Sequence, residues 1–369
     1  MATVLAIETS CDETAAAVVS ETGDPERPWR VRSNTVASQA EIHREWGGVV
    51  PELASRQHVR DICGVVERAL DDGRASWSEL DAVAVTQGPG LVGSLLVGVA
   101  FAKGLAAALD LPLVPVHHLA GHIESLVVDN GRLPLPAVVL VVSGGHTNLY
   151  EVTGEGHPRR DCRLIGRTRD DAAGEAFDKV AALLGLSYPG GPVIDRVARA
   201  GDDAAIDFPV ARMTHADRTA SASAAPVGIA AERRARRMEF SFSGLKTAVK
   251  RHVEKRRAAR GDGDLPDAEV ADICASFQRA VVRALLDRVL TAARASSARS
   301  IGIAGGVSAN SRLRADAAAQ AAAAGLPLAL PTLALATDNA AMIGAAGLRL
   351  LRAGVRAPLD LNARASLEF

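Results

Sequence analysis

The feature that most restricts the fold is a pattern that occurs twice. Residues 3–7 form a short apolar run, residues 8–14 a polar turn, and residues 15–19 a second apolar run. The same order returns at residues 137–142, 143–147 and 148–152. Two apolar segments of strand length on either side of a polar turn read as a β-hairpin. A hairpin that recurs about 130 residues later implies two related halves, each opening with the same unit. With 369 residues the chain is long enough for two full cores. Strands alternating with helical patterns through both halves make the fold class α/β.

Composition narrows the functional classes. Hydrophobic residues are 48% and charged residues 23%, an ordinary globular balance. The net charge of −1 supplies no global field toward nucleic acid, so any such binding must use a local patch. No apolar run approaches the ~20 residues of a membrane span, and no signal peptide is expected. Cys11, Cys63, Cys162 and Cys274 are dispersed and form no Cys-x-x-Cys pair. That argues against a thiolate metal cage and for a reducing, cytoplasmic setting.

The strongest local chemistry is His118-Leu119-Ala120-Gly121-His122, after the apolar run at residues 111–116. Side chains at i and i+4 share one face of a helix, so two imidazoles there can bind one divalent ion. A third ligand is needed, and the best distant candidate is Asp338 in Ala336-Thr-Asp-Asn339. An Asp at a helix start can equally be an N-cap. Gly121 weakens the helix by about 1 kcal/mol relative to Ala, which points to a close approach of ligand or of neighbouring chain. His-Glu-x-x-His is absent, so the zinc-protease signature is not met. His43 and His58 are expected at the surface.

Glycine-rich turns are the second signal. Ser143-Gly144-Gly145 can bring backbone N–H groups close to an anion, or can simply turn the chain. Gly305-Gly-Val-Ser-Ala-Asn310 leads from a buried strand at 300–304 into a helix, a place where a nucleotide can rest. Gly88-Pro89-Gly90 lacks the Gly-Lys-Ser/Thr ending of a P-loop. A long amphipathic helix is expected over residues 267–295, a strand over 328–333 and a final helix over 340–351. About residues 211–239 an Ala/Ser/Arg-rich stretch with little apolar periodicity reads as a mobile basic insertion. A second basic run, 250–260, and Lys246 are local candidates for phosphate contact.

Together these stretches resemble one family. Ile7-Glu-Thr-Ser-Cys-Asp-Glu-Thr14, Gly47-Gly-Val-Val-Pro-Glu-Leu-Ala-Ser-Arg56, His118-x-x-x-His122 and Val141-Val-Ser-Gly-Gly-His-Thr147 come first. The segment 170–179, Tyr188-Pro-Gly-Gly-Pro192, Ser241-Phe-Ser-Gly-Leu-Lys-Thr247, Gly305-Gly-Val-Ser-Ala-Asn310 and Ala336-Thr-Asp-Asn339 follow in order. The set resembles the TsaD family of tRNA N6-adenosine threonylcarbamoyltransferases. The one departure is the stretch before Phe240, longer than the family's link and ending in Glu239 where the family has Asp.

The resemblance implies an actin/sugar kinase/Hsp70-like (ASKHA) fold, two RNase H-like lobes with the active site in a cleft. The expected division is residues 1–134, with an inserted helical segment at about 35–65, and residues 135–369. It implies one divalent metal, iron ahead of zinc, on His118, His122 and Asp338. It implies that Val141, Val142, Ser143, Gly144, Gly145, Asp178, Gly191, Asp195 and Asn310 hold threonylcarbamoyl-AMP. Asp12 and Glu13, on the first hairpin turn, are then candidates for the base that takes the N6 proton. The implied partners are tRNA, a paralogous TsaB-like subunit and a small TsaE-like ATPase, with no membrane. The alternatives at this stage are an O-carbamoyltransferase or a metallopeptidase on the same metal site.

Overall fold

The computed structural model describes residues 1–157, 161–210, 238–261 and 263–369. Most of the stretch expected as a basic insertion, residues 211–237, therefore lies outside the described residues. The chain forms two units: Met1–Leu135, Val152–Arg163 and Ala329–Phe369 make the first, and Pro136–Glu151 and Leu164–Leu328 the second.

In the first unit, β1 (Thr3–Glu8) pairs antiparallel with β2 (Glu13–Glu21), which pairs antiparallel with β3 (Trp29–Ser38). A short helix α1 (Ala40–Arg44) and the long α2 (Pro51–Asp72) follow. β4 (Ala82–Gly88) then enters parallel to β1, α3 (Val92–Leu109) crosses over, and β5 (Leu113–His117) lies parallel to β4. α4 (His118–Asn130) leaves directly from β5. The sheet order is β3-β2-β1-β4-β5. β1 is buried at all six positions, as a central strand covered on both faces must be.

The second unit repeats this plan. β6 (Ala137–Val142), β7 (Thr147–Val152) and β8 (Cys162–Arg167) are followed by α5 (Ala173–Leu183) and α6 (Gly190–Ala198). Then come α7 (Ser243–Ala258), α8 (Asp267–Ala295), β9 (Ser300–Ala304), α9 (Ser311–Ala323) and β10 (Leu328–Ala329). The order β8-β7-β6-β9-β10, with β9 parallel to β6, matches that of the first sheet strand for strand. The two hairpins read from the sequence are β1–β2 and β6–β7.

The chain then returns to the first unit with α10 (Leu333–Ala336) and α11 (Ala340–Arg352). Residues 329–369 were expected with the second lobe and belong to the first. α11 is apolar and nearly all buried, and its glycines let it sit on that sheet: a Cβ on Gly344 would meet Val19 Cγ2 at 2.5 Å, and one on Gly347 would meet Ala84 Cβ at 2.6 Å. The strand expected over 328–333 stops at Ala329, because Pro331 has no N–H to donate to a ladder. α3 is a correction of another kind. It is long and apolar enough on length and composition to cross a bilayer. Its Leu95, Val99, Ala102 and Ala106 are buried within the first unit.

Candidate active site

α4 carries His118 and His122 one turn apart, their rings edge to face with centroids 4.7 Å apart. Asp338 comes from the other end of the chain, immediately before α11. Its Oδ1 lies 3.1 Å from His122 Nε2 and 3.5 Å from His118 Nε2. Ligands at about 2.1 Å around a tetrahedral ion stand about 3.4 Å from one another, so these three atoms fit a divalent metal. The N-cap alternative for Asp338 is removed by its neighbour: Asn339 Oδ1 accepts from Met342 N at 3.0 Å and caps α11 itself. Gly121 explains why the two helices meet here. A Cβ on it would lie 2.8 Å from Ile343 Cδ1 and 3.1 Å from Met342 Cγ, both on α11. The bare glycine lets α11 approach α4, and that approach delivers Asp338 to the histidines.

Glu8 orients His118 and was not singled out from sequence. It ends β1, is fully buried, and its Oε2 accepts from His118 Nδ1 at 3.1 Å and from Thr86 Oγ1 at 2.7 Å. With the Nδ1–H so held, the Nε2 lone pair of His118 faces Asp338, the usual outer-shell arrangement of a metal-bound histidine. Burial opposes a charge on His118, but the Asp338 and Glu8 carboxylates outweigh it and raise its pKa to about 9. A site that draws a proton this strongly suits a cation. His122, also buried, is pushed the other way by that burial. The signal for Glu8 was available: a carboxylate closing a wholly apolar strand must find a partner. Glu8→Gln is expected to weaken metal binding by about 10–100-fold, read by chelator competition.

The β1–β2 turn brings Cys11, Asp12 and Glu13 to the same place. Burial, with Asp12 and then Asp338 as charged neighbours, raises the Glu13 carboxyl well above the ordinary range. The turn is braced from α2 and α1. His58 Nε2 donates to the Cys11 carbonyl at 2.9 Å, and Thr14 Oγ1 lies 2.8 Å from His58 Nδ1. Gln39 N donates to the Asp12 carbonyl at 3.0 Å, and its Oε1 lies 3.2 Å from His43 Nε2. His43 and His58 are thus fully buried, not at the surface as expected. An imidazole can bridge two polar groups inside a core, and local polarity in the sequence does not show that use. The tail adds a further tie: His117, which caps α4 by accepting from Leu119 N, sits 3.0 Å from the Leu367 carbonyl and 4.3 Å from the Phe369 ring.

The second unit gathers the anion-binding candidates at the carboxyl ends of the parallel pair β6 and β9, where open α/β sheets hold ligands. Val141 and Val142 are buried in β6, and Ser143, Gly144 and Gly145 turn out of it. A Cβ on Gly144 or Gly145 would meet nothing within 4 Å, so that side of the turn is open. Gly174, in the first turn of α5, packs on it: its N donates to the Ser143 carbonyl at 3.1 Å, and a Cβ would lie 2.6 Å from the same oxygen. Ala173 N donates to Thr147 Oγ1, which fixes the start of α5 at residue 173. Gly305 closes the other side, at φ +91°, with a Cβ position 2.5 Å from the Val142 carbonyl. The first unit has the same device, Gly90 against the Ser10 carbonyl at 2.5 Å.

The remaining predicted residues form two further clusters. Asp178 Oδ1 accepts from Gly190 N at 2.8 Å and ties the Pro-Gly-Gly-Pro turn to α5, leaving Gly191 with open space beside it. Asp195 Oδ1 accepts from Ser311 Oγ at 2.7 Å, and Asn310 caps α9 through Leu313 N at 2.9 Å while donating to Gln278 Oε1 at 2.8 Å. Lys246, considered for phosphate, instead pairs with Asp171 at 2.6 Å.

Two sheets of one strand order, glycine turns at the ends of their parallel pairs, and a His/His/Asp cluster define an α/β protein of the ASKHA class with a metal-type centre in its first unit. Solved structures agree on the fold. Full-length HypF, in a phosphate- and nucleotide-bound form, superposes with a TM-score of 0.56 at 12% identity, covering 95% of this chain and 55% of that one. The activator of 2-hydroxyisocaproyl-CoA dehydratase from Clostridium difficile, with bound ADPNP, gives 0.50 at 12% identity, covering 95% and 96%. The family model for tRNA N6-adenosine threonylcarbamoyltransferase, TsaD, matches residues 30–345. Curated relatives bearing that name are 51% identical over 364 residues in Anaeromyxobacter dehalogenans strain 2CP-C (98% of each chain) and 50% over 360 residues in Moorella thermoacetica (98% of this chain, 95% of that one). The chain belongs to the TsaD family and is a transferase that forms N6-threonylcarbamoyladenosine in tRNA. The family selects this activity over the metallopeptidase and O-carbamoyltransferase alternatives.

Proposed function

We propose that the chain moves the threonylcarbamoyl group from threonylcarbamoyl-AMP to N6 of adenosine 37, in tRNAs that read codons beginning with A. The observation that carries the reading is the convergence of His118, His122 and Asp338 on one point, backed by Glu8. His118, His122 and Asp338 would hold one divalent ion, iron ahead of zinc, which when bound supplies Lewis-acid polarisation and positive charge.

The substrate is a mixed carbamic–phosphoric anhydride, so AMP leaves readily. The adenine N6 is a weak nucleophile, its lone pair delocalised into the purine. Placement and charge stabilisation are therefore the main tasks. The Ser143 N–H is spent on the His146 carbonyl at 2.8 Å, so the backbone N–H groups of Gly144 and Gly145 bind the phosphate, and the open side of that turn suits an oxyanion. Asp178, Gly191, Asp195 and Asn310 shape the nucleotide site, the last two by fixing the start of α9. N6 attacks the carbamoyl carbon, the bond from that carbon to the phosphate oxygen breaks, and Asp12 or Glu13 takes the N6 proton. The reaction runs in the cytoplasm with a paralogous TsaB-like subunit and a small TsaE-like ATPase.

The test is transfer with the full chain, its partner proteins, threonylcarbamoyl-AMP and unmodified tRNA, followed by digestion and mass spectrometry. Threonylcarbamoyladenosine that disappears with His118→Ala is the expected result. Absence of product from the wild type, with partners present and adenylate bound, would overturn the reading.

A further inference from the structure

α7 is apolar on one side and basic on the other. Leu245, Val249 and Val253 are buried, while Lys250, Arg251, Lys255 and Arg256, and Arg260 just past the helix end, are exposed. Between residues 246 and 260 the only acidic residue is Glu254, so this surface is strongly positive on a protein whose net charge is −1. Part of that charge is internally matched: Arg260 reaches Glu269 at 2.8 Å, Arg256 pairs with the same carboxylate, and Lys250 stands 3.7 Å from Glu254. Arg251 and Lys255, one turn apart, have no ion pair among the described residues. Lysines and arginines left unmatched on one helix face fit a polyanion.

The start of α7 sits beside the phosphate turn of its own unit. Asp170 accepts from Phe242 N at 2.8 Å and Ser243 N at 3.3 Å, and Asp171 binds Lys246. These two aspartates lead straight into α5, whose first turn packs on Ser143 and Gly144. From that point the 16-residue helix carries its basic face about 24 Å further. A bilayer is a poor occupant, because the apolar side an interfacial helix would insert is already buried in the protein.

We propose that Arg251 and Lys255, with Lys250 beside them held only by its exposed 3.7 Å pair to Glu254, dock the ribose–phosphate backbone of the acceptor tRNA, independently of its sequence. This rests on the transferase reading above and adds the surface by which the acceptor is held. Phosphate contacts of this kind set position and affinity, not base specificity.

The test uses the full chain with Lys250→Glu, Arg251→Glu and Lys255→Glu combined, all three at exposed positions. Binding of unmodified tRNA is measured across a salt series, alongside binding of threonylcarbamoyl-AMP and of phosphatidylserine vesicles. The expected result is at least tenfold weaker tRNA binding and a log K against log salt slope shallower by about 2, for two to three lost phosphate contacts. Adenylate binding is expected to stay the same and, with partners present, KM for tRNA to rise while kcat holds. Wild-type affinity and slope in the triple variant would overturn the proposal, as would vesicle binding that the variant loses. Failure of the wild type to bind tRNA at all would instead overturn the transferase reading.

Discussion

Asp338→Asn is expected to leave a folded protein that no longer retains its metal, with transfer reduced at least a hundredfold. Asp338 is the one carboxylate of the three residues, and it reaches both histidine Nε2 atoms. If the ~10–16 kcal/mol of a four-ligand zinc site is shared among its ligands, each contributes about 3 kcal/mol. Losing that much weakens binding by on the order of a hundredfold. The substitution leaves the helix intact because Asn339 supplies the cap. Metal content by elemental analysis and the melting temperature of metal-stripped samples separate the two effects. One equivalent of retained metal, or a melting temperature lower by ten degrees, would contradict the assignment of Asp338 as ligand and not cap.

Gly305→Ala is expected to destabilise the second unit and to damage its glycine turn together. Gly305 holds φ +91° and ψ 164°, a region nearly closed to residues with a Cβ and costing about 1–3 kcal/mol to occupy. The added Cβ would also stand 2.5 Å from the Val142 carbonyl, a backbone atom in a buried parallel strand. Relief requires moving β6 or the turn after β9, a further ~1–3 kcal/mol of overpacking. Together they predict a loss of about 4 kcal/mol in denaturant unfolding and a weakening of adenylate binding by at least tenfold. Both follow from one displacement, since Ser143 continues directly from Val142. Wild-type stability in this variant would mean the turn is looser than described.

Much of this protein was legible before its structure, and the pattern of what was legible is physical. The hairpins at β1–β2 and β6–β7 show in the sequence because strands buried on both faces read as continuous apolar runs and a turn needs only its own few residues. The His118 and His122 pair shows for the same reason, helical spacing being a local property. Asp338 was visible as a candidate, but Asp-Asn before a helix leaves open which residue caps, and the answer depends on backbone torsions. Glu8 and His58 were missed because a side chain's burial is set by elements far along the chain: Glu8 meets a histidine 110 residues away, and His58 a carbonyl 47 residues away.

By itself, then, the sequence determined the two related halves, the positions of the glycine turns, the histidine pair and the family. Only the tertiary structure decided that α11 leaves the second half of the chain to close the first unit. It also decided that Gly121 is a contact point and not a ligand approach. Hydrophobic periodicity says which face of a helix is buried but not what buries it. The partner of α4 was chosen by shape, through a glycine opposite Ile343 and glycines opposite Val19 and Ala84. That choice, made by packing across more than 200 residues of chain, is what brings Asp338 to His118 and His122.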